Sequence, residues 1–181
     1  AFARNLVNEP ANFLSPKKLA ELAVECGKDS GFEVEVHGQE KIEELGMKAY
    51  LEVSRASANE PQLIVMRYRG AEDRPDDIIG LVGKGLTYDS GGLSIKPNEG
   101  MLNMKCDMGG AAAVIGSMAA IARLKPKANV TAVVAACENM IAGNSYRPGD
   151  VIDTMAGKSV FIGSTDAEGR LTLADAIHFA I

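Results

Sequence analysis

The segment 164–171 carries two carboxylates and a guanidinium at alternate positions: Asp166, Glu168 and Arg170. In an extended segment side chains alternate between faces, so these three groups would point the same way. Two carboxylates held side by side repel each other unless one is protonated or a cation lies between them. A metal ion would supply that cation, but a solvated acidic turn before a helix explains the segment equally well. Both interpretations remain open on these residues alone.

A second group of polar residues follows the apolar run 78–82, which predicts a buried strand that ends in a tight turn at Lys84. A charged, unpaired lysine there would be costly, whereas a neutral amine can bind a metal ion. Asp89 and Asp107 would add two carboxylates to those of segment 164–171. Two divalent cations would balance four carboxylates, so the pattern favours two ions over one.

Each of these residues also has an ordinary structural interpretation. Lys84 lacks the Gly-x-x-x-x-Gly-Lys-Ser/Thr pattern, which argues against a phosphate-binding loop. Asp107 could cap the helix that begins near Met108, a role compatible with metal binding. Taken alone, Lys96 is better explained as a surface loop residue.

Composition places the chain among ordinary globular domains, because 46% of its 181 residues are hydrophobic and 24% are charged. The net charge of −5 argues against nucleic acid and anionic membranes as partners, and we expect no apolar run long enough to span a bilayer. Cys26, Cys106 and Cys137 are widely spaced, which predicts reduced thiols and a cytoplasmic location. His37 and His178 have no partner motif and are interpreted as structural or exposed.

Apolar periodicity predicts alternating helices and strands, hence an α/β fold with a mixed, largely parallel sheet flanked by helices. Ser15 and Pro16 mark the start of the first predicted helix. The predicted helices cover 16–30, 40–45, 108–124 and 170–181, and the predicted strands cover 32–36, 50–53, 62–68, 78–82, 129–137 and 159–163. Ligands in such sheets bind at the carboxyl ends of strands, which places Lys84 and Asp166 near one shared site.

Three motifs, at 83–92, 105–111 and 165–171, together with the opening at 3–12, resemble the leucyl (cytosol) aminopeptidases. The resemblance covers essentially the whole chain. It implies a dinuclear metallo-aminopeptidase that removes N-terminal residues from peptides. It also implies that residues 1–181 are part of a catalytic domain, without the family's N-terminal regulatory domain and the C-terminal part of the catalytic domain.

The resemblance also assigns roles to individual residues. One metal ion would be held by Lys84, Asp89, Asp107 and Glu168, and a second, exchangeable ion by Asp89, Asp166 and Glu168. Lys96 and Arg170 match the two catalytic cations, and Met104 matches a residue that lines the specificity pocket.

The family uses zinc, with manganese, magnesium or cobalt exchanging into one site, and assembles as a homo-hexamer. In the family, the residue that corresponds to Arg170 holds a bicarbonate ion. The chain departs from the family pattern at Tyr88, Ser164 and Lys48, where phenylalanine, asparagine and glycine are usual. The alternative to a peptidase is a non-enzymatic metal-binding or assembly module, with the isolated chain inactive; a nucleotide-binding α/β domain is a distant third.

Overall fold

Seven helices and six strands make up the chain, and the computed structural model describes all residues 1–181. Two short 3-10 turns, Met104–Cys106 and Thr165–Ala167, precede the last two long helices. The helices are α1 Phe2–Asn8, α2 Pro16–Ser30, α3 Gln39–Glu44, α4 Lys48–Ser54, α5 Asn98–Met101, α6 Gly109–Leu124 and α7 Glu168–Ala180. The strands are β1 Glu33–His37, β2 Gln62–Arg69, β3 Ile78–Asp89, β4 Asn129–Asn139, β5 Val151–Asp153 and β6 Ser159–Phe161.

The main sheet has the strand order β1-β2-β4-β3, and β5 and β6 form a separate antiparallel pair. β4 is antiparallel to β2 and parallel to β3, so the sheet is mixed. Asp89 pairs with Asn139 at the carboxyl ends of β3 and β4. The predicted α/β class, a mixed sheet flanked by helices, is confirmed. Within this sheet, however, only the β3–β4 pairing is parallel, whereas β1–β2 and β2–β4 are antiparallel, so the sheet is less parallel than expected.

The central strand β4 divides the core into two clusters because its side chains alternate between the faces of the sheet. Val130, Ala132, Val134 and Ala136 pack with buried residues of α1, α2 and α6. The opposite face packs against buried residues of α3, α4 and α7. Both faces of the sheet are therefore covered, which accounts for the wholly apolar centre of β4.

Helix α2 begins as its sequence predicts. The Ser15 hydroxyl accepts a bond from the backbone N–H of Lys18, Pro16 is the first helical residue, and Gly31 ends the helix in a left-handed conformation. The predicted helix at 108–124 and the strands at 32–36, 62–68 and 129–137 are also present, within two residues at each end. Helices α1 and α5 and strand β5 were not predicted.

The prediction of a strand at 50–53 is wrong, because these residues lie inside α4. Asp175 accepts the backbone N–H of Tyr50 at 3.0 Å, near the helix start where N–H groups lack an intrahelical partner. The Tyr50 hydroxyl donates to the carbonyl of Ala136 at 2.7 Å. Both partners are distant in sequence, so a local pattern does not reveal them.

Strand β3 is longer and less buried than predicted. It continues through Lys84 to Asp89, so Lys84 lies within the strand rather than at a turn. Ile78 and Ile79 are 48% and 53% exposed because β3 is at the edge of the sheet.

The extended conformation assumed for segment 164–171 is also wrong. Residues Thr165–Ala167 form a 3-10 turn, and Glu168 is the first residue of α7. The Ser164 hydroxyl accepts the backbone N–H of Asp166 and so favours the turn. Arg170 is exposed whereas Glu168 is buried, so the three charged groups do not share one face.

One helical stretch, Asn98–Leu124, is long and apolar enough to cross a membrane by length and composition alone, with a mean hydropathy of 1.2. From the sequence we expected no stretch of this length and hydropathy. The stretch comprises α5, a 3-10 turn and α6. Buried residues of α6 belong to the core cluster on one face of the sheet, and the core helix of a globular domain passes the same test.

Helix α6 approaches strand β3 closely because both elements have glycine at the contact. A Cβ on Gly83 would lie 2.8 Å from the carbonyl oxygen of Gly110. A Cβ on Gly110 would lie 2.9 Å from the backbone nitrogen of Lys84. This contact sets the distance between the start of α6 and the part of β3 that carries Lys84.

The change Gly110→Ala should destabilise the fold by roughly 1–3 kcal/mol, because backbone atoms of Lys84 must move. Gly109→Ala is the matched control: it lies one residue earlier, and a Cβ there meets nothing within 4 Å. The control should be neutral or stabilising by up to about 1 kcal/mol, from helix propensity. Urea denaturation followed by circular dichroism measures both, and equal effects would contradict the close contact.

Candidate metal centre

Three carboxylates from separate elements converge at the carboxyl end of β3. Asp89 ends β3, Asp107 follows the turn Met104–Cys106, and Glu168 begins α7. One oxygen from each lies within 4.8 Å of the other two. Asp89 and Glu168 are each only 1% exposed. Mutual repulsion would oppose this arrangement unless cations compensate it.

Lys84 supplies one compensating charge. Its Nζ forms ion pairs with Glu168 Oε1 at 2.7 Å and with Asp107 Oδ2 at 2.8 Å. Burial lowers the pKa of Lys84, but the two carboxylates outweigh burial and leave its pKa raised. In this arrangement Lys84 is therefore an ammonium bridging two carboxylates. From the sequence we expected a neutral amine at Lys84. The amine becomes neutral only if a metal ion displaces its proton.

Space for the Lys84 side chain comes from the absence of a side chain at Gly169. A Cβ at Gly169 would lie 2.6 Å from Lys84 Cε and 2.8 Å from Nζ. The first turn of α7 can therefore pack directly over the lysine.

Lys96 forms a second pair of ionic contacts. Its Nζ contacts Asp166 Oδ1 and lies 3.0 Å from Asp89 Oδ2. Burial lowers the pKa of Lys96, but hydrogen bonds to Asp166 and Asp89 raise it overall. Asp166 is the most exposed of the four carboxylates, with 37% of its side chain accessible.

Two properties of the carboxylates favour occupation by a cation. Burial raises the pKa of Asp107 to about 6, a shift that Lys84 opposes and that Glu168 and Asp89 reinforce. Glu168 Oε2 is buried and has no hydrogen-bond partner. Buried carboxylate oxygens are normally satisfied, so this oxygen is available to a cation.

A hydrogen-bond network joins the segments that carry these residues. The Thr165 hydroxyl donates to the Gly91 carbonyl and accepts the backbone N–H of Ser94. The Thr165 backbone N–H donates to the Ser94 hydroxyl. The loop after β3 and the turn before α7 are thereby held together.

Sequence reasoning missed the supporting residue Asn139. Its Nδ2 donates to Asp89 Oδ1 at 2.7 Å and to the Thr165 carbonyl at 3.0 Å. The Tyr146 hydroxyl donates to the same carbonyl at 2.8 Å. A polar side chain shortly after the apolar run 132–137 of β4 was the available signal for Asn139.

The structure therefore brings together six of the eight site residues predicted from sequence: Lys84, Asp89, Lys96, Asp107, Asp166 and Glu168. Arg170 is exposed and makes no salt bridge or side-chain hydrogen bond. Met104 is half-buried in the turn before Asp107. His37, interpreted from sequence as structural or exposed, lies in β1, where its Nε2 is 3.4 Å from Glu35 Oε1.

The fold and the site together define an α/β protein with a candidate metal centre built from carboxylates and lysines. The family model described as "Cytosol aminopeptidase family, catalytic domain" matches residues 1–181. The chain belongs to this family.

Similar proteins bear the same description. The chain is 58% identical over 179 residues to a "Probable cytosol aminopeptidase" of Clostridium perfringens, covering 99% of the chain and 36% of that protein. It is 56% identical over 177 residues to one of Treponema denticola, covering 98% and 37%. The crystal structure of cytosol aminopeptidase from Coxiella burnetii superimposes with a TM-score of 0.93 at 39% identity, covering 99% of the chain and 38% of that structure. The chain thus spans little more than a third of the length of these relatives.

Proposed function

We propose that the chain is part of the catalytic domain of a metal-dependent aminopeptidase that hydrolyses N-terminal residues from peptides. The observation that carries this proposal is the buried convergence of Asp89, Asp107 and Glu168, with Glu168 Oε2 left without a partner. Relatives named cytosol aminopeptidases supply the reaction class. The names of these relatives also support the proposal of a cytoplasmic protein, and the family resemblance implies that its complete form is a homo-hexamer.

The residues present fit two divalent cations. Lys84, Asp89, Asp107 and Glu168 would hold one ion, and Asp89, Asp166 and Glu168 the other. Carboxylate oxygens suit manganese and magnesium, whereas an amine nitrogen in the first set suits zinc or cobalt. When bound, such ions supply polarisation of a carbonyl and activation of water near neutral pH.

The other residues have roles that follow from their positions. Lys96 is bonded to Asp89 and Asp166, so cations at those carboxylates would free its ammonium to donate to the developing oxyanion of a peptide carbonyl. Arg170, on the first turn of α7, has no salt-bridge partner, which suits it to hold an anion such as bicarbonate. Met104, in the turn before Asp107, would line the substrate pocket, as the family resemblance implies.

The change Gly169→Ala tests Lys84 as a ligand. A Cβ there displaces the Lys84 amine from Glu168 and Asp107, so the metal-free melting temperature should fall, because these carboxylates lose part of their charge compensation. We expect Mn²⁺ affinity, measured by isothermal titration calorimetry, to fall about tenfold or more.

Gly163→Ala is the matched control, because a Cβ at Gly163 meets nothing within 4 Å. Tighter Mn²⁺ binding in Gly169→Ala would mean that the Lys84 ammonium competes with the ion rather than binding it.

Metal affinity should depend on pH through Asp107, whose pKa burial raises to about 6. Metal binding requires the deprotonated carboxylate, so the contribution of Asp107 to affinity is full above this pKa and is lost as pH drops through it. Displacing the proton of the Lys84 ammonium adds a separate pH dependence that extends above about pH 7. In Mn²⁺ titrations between about pH 7.5 and about pH 5, the fall in affinity should therefore become steeper near the pKa of Asp107, by up to about a further tenfold per pH unit. A fall that does not steepen down to about pH 4.5 would contradict a raised Asp107 pKa combined with a ligand role.

The proposed reaction is tested with the complete product of the gene, loaded with Mn²⁺ or Zn²⁺, on leucine amide. Lys96→Ala should lower kcat by about 10²–10³, the usual loss for one oxyanion donor, with a smaller change in KM. Lys105→Ala is the control, since its Nζ donates to the Asn8 carbonyl outside the site.

An unchanged kcat in Lys96→Ala would exclude the oxyanion role. Absence of hydrolysis by the loaded wild-type protein would overturn the proposed function and favour the non-enzymatic module.

A further inference from the structure

Asn139 is the last residue of β4, and it is fully buried. Its amide nitrogen donates two hydrogen bonds, to Asp89 Oδ1 at 2.7 Å and to the Thr165 carbonyl at 3.0 Å. Asp89 belongs to the carboxylate cluster, and Thr165 directly precedes Asp166. One amide group therefore contacts both the end of β3 and the turn that leads into α7.

The bond to Asp89 determines which oxygen of that carboxylate faces the site. Asp89 Oδ1 accepts from Asn139 and also from the backbone N–H of Gly91, at 2.9 Å. Its other oxygen, Oδ2, faces Lys96 at 3.0 Å. With Oδ1 occupied by two donors, Oδ2 is the atom that Asp89 presents to a cation.

The chemistry of the two partners requires an amide at position 139. Both Asp89 Oδ1 and the Thr165 carbonyl are acceptors, so the residue between them must donate twice. Among side chains of this size, only asparagine carries an NH₂ group. A carboxylate would place a third acceptor against two others.

Two further observations indicate that the position serves the site rather than the fold alone. Asn139 Oδ1 is buried and has no protein donor, so the two bonds from Nδ2 are the hydrogen bonds that fix this amide. A Cβ on Gly92 would lie 3.1 Å from this oxygen, so the glycine leaves room for the amide. The Asn139 carbonyl also accepts from the N–H and hydroxyl of Ser90, which fixes the backbone beside Asp89.

We propose that Asn139 is a positioning residue for the metal centre: it orients Asp89 and links it to the turn that carries Asp166 and Glu168. This inference rests on the proposed function, because it concerns the same carboxylates. Groups that orient ligating carboxylates typically change metal affinity by about 10–100-fold when removed.

The test compares Asn139→Ala with Asn129→Ala in the 181-residue chain. Asn129 is the matched control at the opposite end of β4: it is also buried, and its amide donates to the carbonyls of Ala71 and Arg74, away from the cluster. Both changes should lower the melting temperature without metal. Only Asn139→Ala should weaken Mn²⁺ binding, by about 10–100-fold in calorimetry at a temperature where both variants are folded.

Two more variants separate positioning from other roles. Asn139→Asp keeps the size of the side chain and adds negative charge, so a purely electrostatic role gives tighter binding whereas positioning gives weaker binding. Tyr146→Phe removes the other donor to the Thr165 carbonyl but leaves Asp89 oriented. It should therefore leave the Mn²⁺ affinity within about threefold of the wild type, less than the loss on removing an orienting group.

The outcomes are distinguishable. Mn²⁺ affinity equal to wild type in both Asn139 variants, or tighter in Asn139→Asp, would overturn the positioning role and leave the proposed function intact. Equal weakening in Tyr146→Phe and Asn139→Ala would also overturn it, because support of Thr165 alone would then explain the effect. A wild-type chain that binds no Mn²⁺ or Zn²⁺ would overturn the proposed function and this inference with it.

Discussion

Compensation of buried negative charge is the constraint on which the arrangement of this molecule depends. Asp89 and Glu168 are almost fully buried, and with Asp107 they place oxygens within 4.8 Å of one another. Lys84 bridges Asp107 and Glu168, and Lys96 bridges Asp89 and Asp166. Removing buried charges from water is expensive, and these ion pairs offset only part of that penalty. The cluster is therefore weak evidence for stability, which agrees with the proposed metal-binding role.

Close backbone approaches make this compensation possible. Gly83 and Gly110 let helix α6 lie against the strand that carries Lys84, and Gly169 lets α7 pack over the same side chain. The lysine is thus enclosed by two helices that meet β3 from different directions. A larger residue at any of these glycines would force the neighbouring backbone or the Lys84 side chain to shift.

Sequence predicted the elements whose signals are local. Helix α2 has a serine cap, a first-turn proline and a terminal glycine, and strand β4 contains the apolar run 132–137, so both were predicted within about two residues. The failures involve distant partners: Tyr50 lies in a helix because Asp175, 125 residues away, accepts its backbone N–H. The charged residues of the candidate site were recognisable by type, and six of them do converge. The bonds of Asn139 depend on the pairing of β3 with β4, which no local pattern contains.

The register between β3 and β4 has a consequence for how the centre forms. Asp89 lies opposite Asn139, 50 residues further along the chain, and Glu168 arrives from still later in the sequence. Closing such long loops is slow, because chain entropy is lost before the contacts that reward it are made. Assembly of the carboxylates therefore coincides with completion of the sheet, and a partly folded chain has no competent centre. An ion that binds only the completely folded arrangement would therefore stabilise the whole fold relative to partly folded states.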